Sequence, residues 1–148
     1  MRTFKFILFL ALLLFIENIW QLPYKPDLFL IFAVTFCLQN KVSSGLAFSF
    51  SIGFVEDVLF SAYFFNTLIK TVIAALISFI KEKLILNLPK LSLILIGFFS
   101  PLSIILKAVL NSALAGEPIV WSSFFIFIVI STVLNLIFTP LFLHFYAE

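Results

Sequence analysis

Charge is scarce in this chain. Of 148 residues, nine are Lys or Arg and seven are Asp or Glu, 11% in all, where a soluble domain carries about 25%. The shortage excludes a soluble enzyme and a disordered tail. Nine cations also make no surface for nucleic acid. A single cysteine, Cys37, excludes an internal disulfide and a cysteine-cluster metal site. It lies in an apolar run and reads as a small buried hydrophobe. The single histidine, His144, has no Cys or His companion for a metal and no Ser-His-Asp arrangement. Four scattered glycines form no phosphate-cradling loop. No cofactor, metal or catalytic residue is therefore expected, and the chain reads as a non-enzyme.

What is present is hydrophobic. Apolar residues make up 64% of the chain, with 22 Phe, and the mean hydropathy is +1.26. Such a chain needs lipid as its solvent. At about 20 residues per span, the length leaves room for six helices and no soluble domain. The expectation is one all-α transmembrane domain over residues 1–148. It has no internal repeat and no low-complexity linker.

The N-terminus pairs Arg2 and Lys5 with an apolar run from Phe6 to Ile16, like a signal peptide. No small-residue cleavage site follows, and Trp20 suits a membrane interface, so a retained first helix from Phe4 to Leu22 is expected. The prolines of Pro23-Tyr24-Lys25-Pro26-Asp27 make a turn. Pro26 suits the first turn of the second helix, with Asp27 beside its positive dipole end. That helix, Asp27 to Gln39, is about 20 Å long, short against a hydrocarbon core of about 30 Å. The third runs from Ser43 to Ser61. Either both span, the second one shortened, or they form a re-entrant pair. The fourth runs from Asn66 to Leu86, the fifth from Leu91 to Ala113 and the sixth from Trp121 to Tyr146. Pro101 and Pro140 predict kinks in the last two.

Six spans with both termini cytoplasmic put Arg2, Lys5, Lys41, Lys81, Lys83 and Lys90 inside and Lys25 alone outside, a positive-inside bias. The same topology places five ionisable groups, Glu17, Glu56, Asp57, Lys70 and Lys107, in one layer roughly 6–9 Å below the outer ends of their helices. Ionisable groups at that depth are functional candidates. The plainer readings are snorkelling for the two lysines and an interfacial position for Glu17.

For Asp57 a spacing speaks against the surface. Gly45, Ser49, Gly53, Asp57 and Ser61 recur every four residues, one small-residue stripe down the third helix. Small residues let helix backbones approach closely, so this stripe should face the bundle and carry Asp57 inward, either to a structural ion pair or to a functional site. Glu56 lies about 100° around, at the edge of that face. Weaker polar stripes mark Thr35 and Gln39; Lys70, Ala74 and Ser78; Ser100, Ser103, Lys107 and Asn111; and Ser131, Asn135 and Thr139. Each series shares one helix face. The expected bundle has a modestly polar interior that opens outward.

Two stretches resemble a known family. Lys25-Pro26-Asp27-Leu28 after a first hydrophobic helix is similar to the Pro-Asp-Leu start of the second helix in the rod shape-determining protein MreD family. Gly45 through Asp57, with Gly53 between, is similar to that family's glycine-rich helix ending in an acidic residue and an apolar pair. Asn66-Thr67-Leu68 and the run to Lys83 resemble its fourth helix. The specific part covers about residues 24–83; residues 91–148 match only as hydrophobic helices. Where the family often has a glycine, this chain has Phe64 or Phe65.

The resemblance implies an inner-membrane scaffold of the bacterial cell-elongation machinery. Its partners would be a bitopic MreC-like protein and other membrane proteins of the elongation complex, and it would help regulate peptidoglycan synthesis and cell shape. It also implies a fold similar to the substrate-binding S-component of energy-coupling-factor transporters. Pro26, Asp27, Gly45, Gly53 and Asp57 are the positions carried over. The competing reading is a membrane subunit that binds a vitamin-like small molecule for a transporter, with the acidic residues and lysines as anchors.

Overall fold

The computed structural model describes residues 25–60, 63–81, 83, 87–116 and 118–147. The expected first helix, with Arg2, Lys5 and Glu17, lies outside the described residues, as do Ser61 and residues 84–86. The described residues form five helices and no strand: α1 (Leu28–Gln39), α2 (Val42–Phe60), α3 (Phe65–Lys81), α4 (Leu88–Ala115) and α5 (Trp121–Ala147). They correspond to the second through sixth expected helices. Three of them, α2, α4 and α5, are long and apolar enough to cross a membrane. The described residues are thus all-helical, with three helices of the length and composition of membrane spans.

The shortest helix is the centre of the bundle. Residues Leu28 to Val34 are apolar on every side, which is the pattern of a helix buried all round. Every one of them is buried, as are Thr35 and Cys37, and α1 packs on all four other helices. A buried helix must satisfy its end groups inside the protein, because lipid offers no hydrogen bonds. At its start, the Asp27 carboxylate accepts from the Leu30 N–H at 2.8 Å, and the Asp27 N–H donates to Asn135 Oδ1 of α5 at 2.7 Å. At its end, Lys81 Nζ, from the last turn of α3, donates to the carbonyls of Cys37 and Asn40 at 3.1 and 2.6 Å. The Thr35 hydroxyl donates to Ile31 O of its own helix at 2.8 Å. Asp27 is thus the N-cap. Pro26 lies outside the helix rather than in its first turn, because the cap takes the position after it.

Around this centre, α2 returns antiparallel to α1. Cys37 Sγ lies 3.3 Å from Ser49 Oγ, and a Cβ added to Gly45 would stand 3.1 Å from that sulfur. Helix α3 turns Ile69, Lys70, Ile73, Ala74 and Ile77 inward, and exposes Leu68, Val72, Leu76 and Phe79. Its described part runs to Lys81, and the expected end at Leu86 lies outside the described residues. Its inward series follows the three-and-four spacing of one face. The outward side chains are apolar too, as a lipid-facing surface requires.

Helix α4 starts at an Asn87 cap, whose side chain accepts from the Lys90 N–H at 3.3 Å, and stops at Gly116, in the left-handed region at φ 70°. This placement takes in Leu88 and Pro89, three residues earlier than the hydropathy suggested. Both α4 and α5 continue through their prolines, Pro101 and Pro140.

Among the described residues other than glycine, one backbone position is strained. Phe64, which leads into α3, has φ 57°, a region that costs a residue with a Cβ about 1–2 kcal/mol. Its ring stacks on Phe54 at 5.9 Å but is otherwise exposed. Phe64→Gly is therefore expected to raise stability by about 1 kcal/mol, measured as a higher unfolding midpoint in detergent. A lower midpoint would show that the ring contact outweighs the backbone strain.

Candidate charged site at the head of the central helix

The N-terminus of α1 is a positive dipole end, and two acids and two lysines from four helices gather there. Lys70 of α3 contacts Glu56 Oε2 of α2 and Asp27 Oδ1, the latter at 3.3 Å. Lys107 of α4 reaches Asp27 Oδ2 at 3.2 Å and Glu56 Oε1 at 3.5 Å. Each charge therefore touches two of opposite sign, and the four close a neutral ring. Burial falls unevenly on its members. The Lys70 side chain is 1% exposed, Glu56 9%, Asp27 16% and Lys107 28%. Lys70 is locked in, so it does not snorkel. Lys107 forms the open side of the ring.

The other acid of α2 does different work. Asp57 pairs with no lysine among the described residues. Its Oδ1 accepts from the Asn66 N–H at 3.0 Å, and its Oδ2 from the Thr67 N–H at 2.8 Å and the Thr67 hydroxyl at 2.6 Å. These are orphan donors of the first turn of α3. Asp57 is an N-cap supplied by the preceding helix, and it meets another dipole end. This is a third outcome beside the ion pair and the functional site expected for it.

Gly53, one turn earlier, lets the two helices come close enough for that bond. A Cβ there would stand 2.6 Å from Thr67 Cα and 2.8 Å from Asn66 O. The stripe of Gly45, Ser49, Gly53 and Asp57 is thus buried along its described length, against α1 at one end and α3 at the other.

From the ring a polar line continues into the α4–α5 interface. Asn135, whose Oδ1 accepts from Asp27, donates from Nδ2 to Ser100 Oγ at 2.6 Å. Thr139 donates to Asn135 O at 2.7 Å, and Ser103 to Ser100 O at 2.9 Å. Of the polar faces expected from spacing, those of α4 and α5 meet directly through the Asn135–Ser100 bond, while Thr139, Ser103, Thr35 and Ser78 bond back to their own helices.

Of the residues singled out by sequence, Asp27, Glu56, Lys70 and Lys107 form the ring. Gly53 and Asp57 build the neighbouring helix contact, and Gly45 and Ser49 pack on Cys37. Pro26 is buried just before the Asp27 cap. Sequence reasoning missed Asp27 as a charge partner and Asn135 as its backbone ligand. Their signals were a local cap and a polar stripe, and neither specifies a contact more than 100 residues away. Comparisons with protein-family models, with curated proteins and with solved structures give no match for the chain.

Proposed function

We propose that this protein is a bacterial inner-membrane scaffold of the MreD type. Its role is to bind the transmembrane segment of a bitopic, MreC-like partner and so help couple peptidoglycan synthesis to cell shape. In this reading it has six spans, both termini cytoplasmic, and the charged ring in the outer leaflet. The S-component-like arrangement belongs to the same proposal. The observation that supports it most is where the two family-like stretches lie. Pro26-Asp27-Leu28 opens the central helix, and Gly45–Asp57 supplies Glu56 to the same ring. Asp27, Glu56 and Lys70, all in the family-like part, thus build one site, while Lys107 comes from the part that matches only in hydropathy.

The chemistry of the interior agrees with a scaffold. The charges of the ring neutralise one another, Asp57 is taken up by the head of α3, and the small residues serve helix contacts. The scaffold acts through its surface and carries out no reaction of its own.

A pull-down of the full chain from detergent extracts tests the reading. The expected result is recovery of a protein with one transmembrane helix and a large extracytoplasmic part. The variant Gly53→Leu, which forces α2 and α3 apart, should lose it. Recovery of an ATPase or a coupling subunit instead, together with a bound small molecule, would overturn the scaffold in favour of a transporter subunit.

A further inference from the structure

The open side of the ring has spare donors. A lysine ammonium carries three, and Lys107 spends two, on Asp27 and Glu56. Its side chain is 28% exposed, although it sits eight residues, about 12 Å, from the end of an apolar helix. An ammonium at that depth is costly unless something polar meets it.

A second, independent donor lies within one turn of Lys107 along α4. Ser131 of α5 is 2% exposed, and its Oγ has no hydrogen-bond partner among the described residues. The register of the two antiparallel helices is set by Asn135 on Ser100 and by Leu136 facing Gly97. One turn further along, it brings Ser131 opposite Ser103, one turn before Lys107 on α4. Ser131 shares the face of Asn135, which is bonded to the head of α1. Most buried hydroxyls have a partner, so an idle one beside a partly exposed ammonium marks a place built for an acceptor.

We infer that Lys107 and Ser131 form a docking point for a hydrogen-bond acceptor on a partner's transmembrane helix. The acceptor is the side-chain carbonyl of an Asn or Gln, or a carboxylate, entering between α4 and α5 at the level of the ring. The sign of the preference follows from the inventory. The ring is neutral, both free groups donate, and a partner lysine at this level would meet Lys107. This inference rests on the scaffold reading and names what the partner presents.

The test uses the purified full chain in phosphatidylcholine vesicles and labelled synthetic single-span Leu-Ala helices. These carry Asn, Leu or Lys at one position in the matching leaflet, and association is read by energy transfer. The Asn helix should bind about three- to thirty-fold more tightly than the Leu helix, the range of interhelical hydrogen bonds in membranes. The Lys helix should bind no better than the Leu helix. Ser131→Ala should remove most of the Asn preference while keeping the unfolding midpoint, since its hydroxyl holds nothing within the fold. Ser123→Ala, an exposed serine at the start of α5, should change neither.

Equal binding of the Asn and Leu helices, or a preference that survives Ser131→Ala, overturns the docking point. If a bitopic protein is still captured from cells in that case, the scaffold reading stands without it. If the Asn preference holds but wild type captures no bitopic protein, the site stands and the scaffold reading fails.

Discussion

Lys70→Met is expected to destabilise the detergent-solubilised protein by about 3–5 kcal/mol, the cost of breaking a buried ion pair from one side. Methionine fills nearly the same volume, so the loss is electrostatic. It strands Glu56 and Asp27 side by side, with Lys107 alone to balance both. Glu56→Gln in the same chain should recover much of that loss. The remaining pair, Lys107 with Asp27, is then neutral again, and Asp27 keeps its bond to the Leu30 N–H. The measurement is a double-mutant cycle on unfolding midpoints. Additive effects of the two substitutions would mean that Lys70 and Glu56 do not act as a pair.

The second large effect is expected at Gly53. A β-carbon there would lie 2.6 Å from Thr67 Cα and 2.8 Å from Thr67 N and Asn66 O. All three are backbone atoms and cannot swing aside, so α2 and α3 must separate. Separation also lengthens the bonds from Asp57 to the head of α3. Gly53→Ala should cost about 1–3 kcal/mol or more, and Gly53→Leu should prevent the pair from closing. The other helical glycines make an internal scale. At Gly45 the new atom would press on Cys37 Sγ at 3.1 Å, a smaller penalty. At Gly97 it would find only Leu136 at 3.7 Å, an ordinary contact, so Gly97→Ala should gain up to about 1 kcal/mol from helix propensity. Unfolding midpoints of the three alanine variants should therefore rank Gly97 above Gly45 above Gly53. A Gly53 variant that does not rank lowest would show that close approach there is not what holds α2 to α3.

The ring and the Gly53 contact serve one purpose. Lipid supplies no hydrophobic force to press helices together and no water to satisfy their ends. The protein answers with side chains aimed at helix termini: Asp27 and Asp57 at N-termini, Lys81 at a C-terminus. Each cap on a neighbouring helix is also a tie between helices. The short α1 depends on this most, since side chains of other helices bond the backbone at both its ends.

The sequence by itself determined the class of this protein and the places of its helices. Apolar runs and polar breaks decide both, and α1, α2 and α5 start and end within about one residue of the hydropathic segments. It also determined which faces turn inward. A Gly-Ser-Gly-Asp series at four-residue spacing marks one side of a helix, and lipid gives no reason to display it. The gathering of Glu56, Lys70 and Lys107 was legible as a shared depth, because depth follows from counting residues along each helix.

Only the tertiary structure decided who pairs with whom. Depth does not fix partners: the four-residue stripe set Asp57 inward and Glu56 at its edge, but not which of the two meets a lysine. Their side chains point about 100° apart, which sends one to Lys70 and the other to the head of α3. Asp27 reads locally as a cap. It becomes the hub of the ring because α1 is packed at the centre, where its N-terminus faces α3, α4 and α5 at once. The left-handed turn at Phe64 was likewise invisible, because a phenylalanine carries no local sign that its backbone must take a conformation suited to glycine.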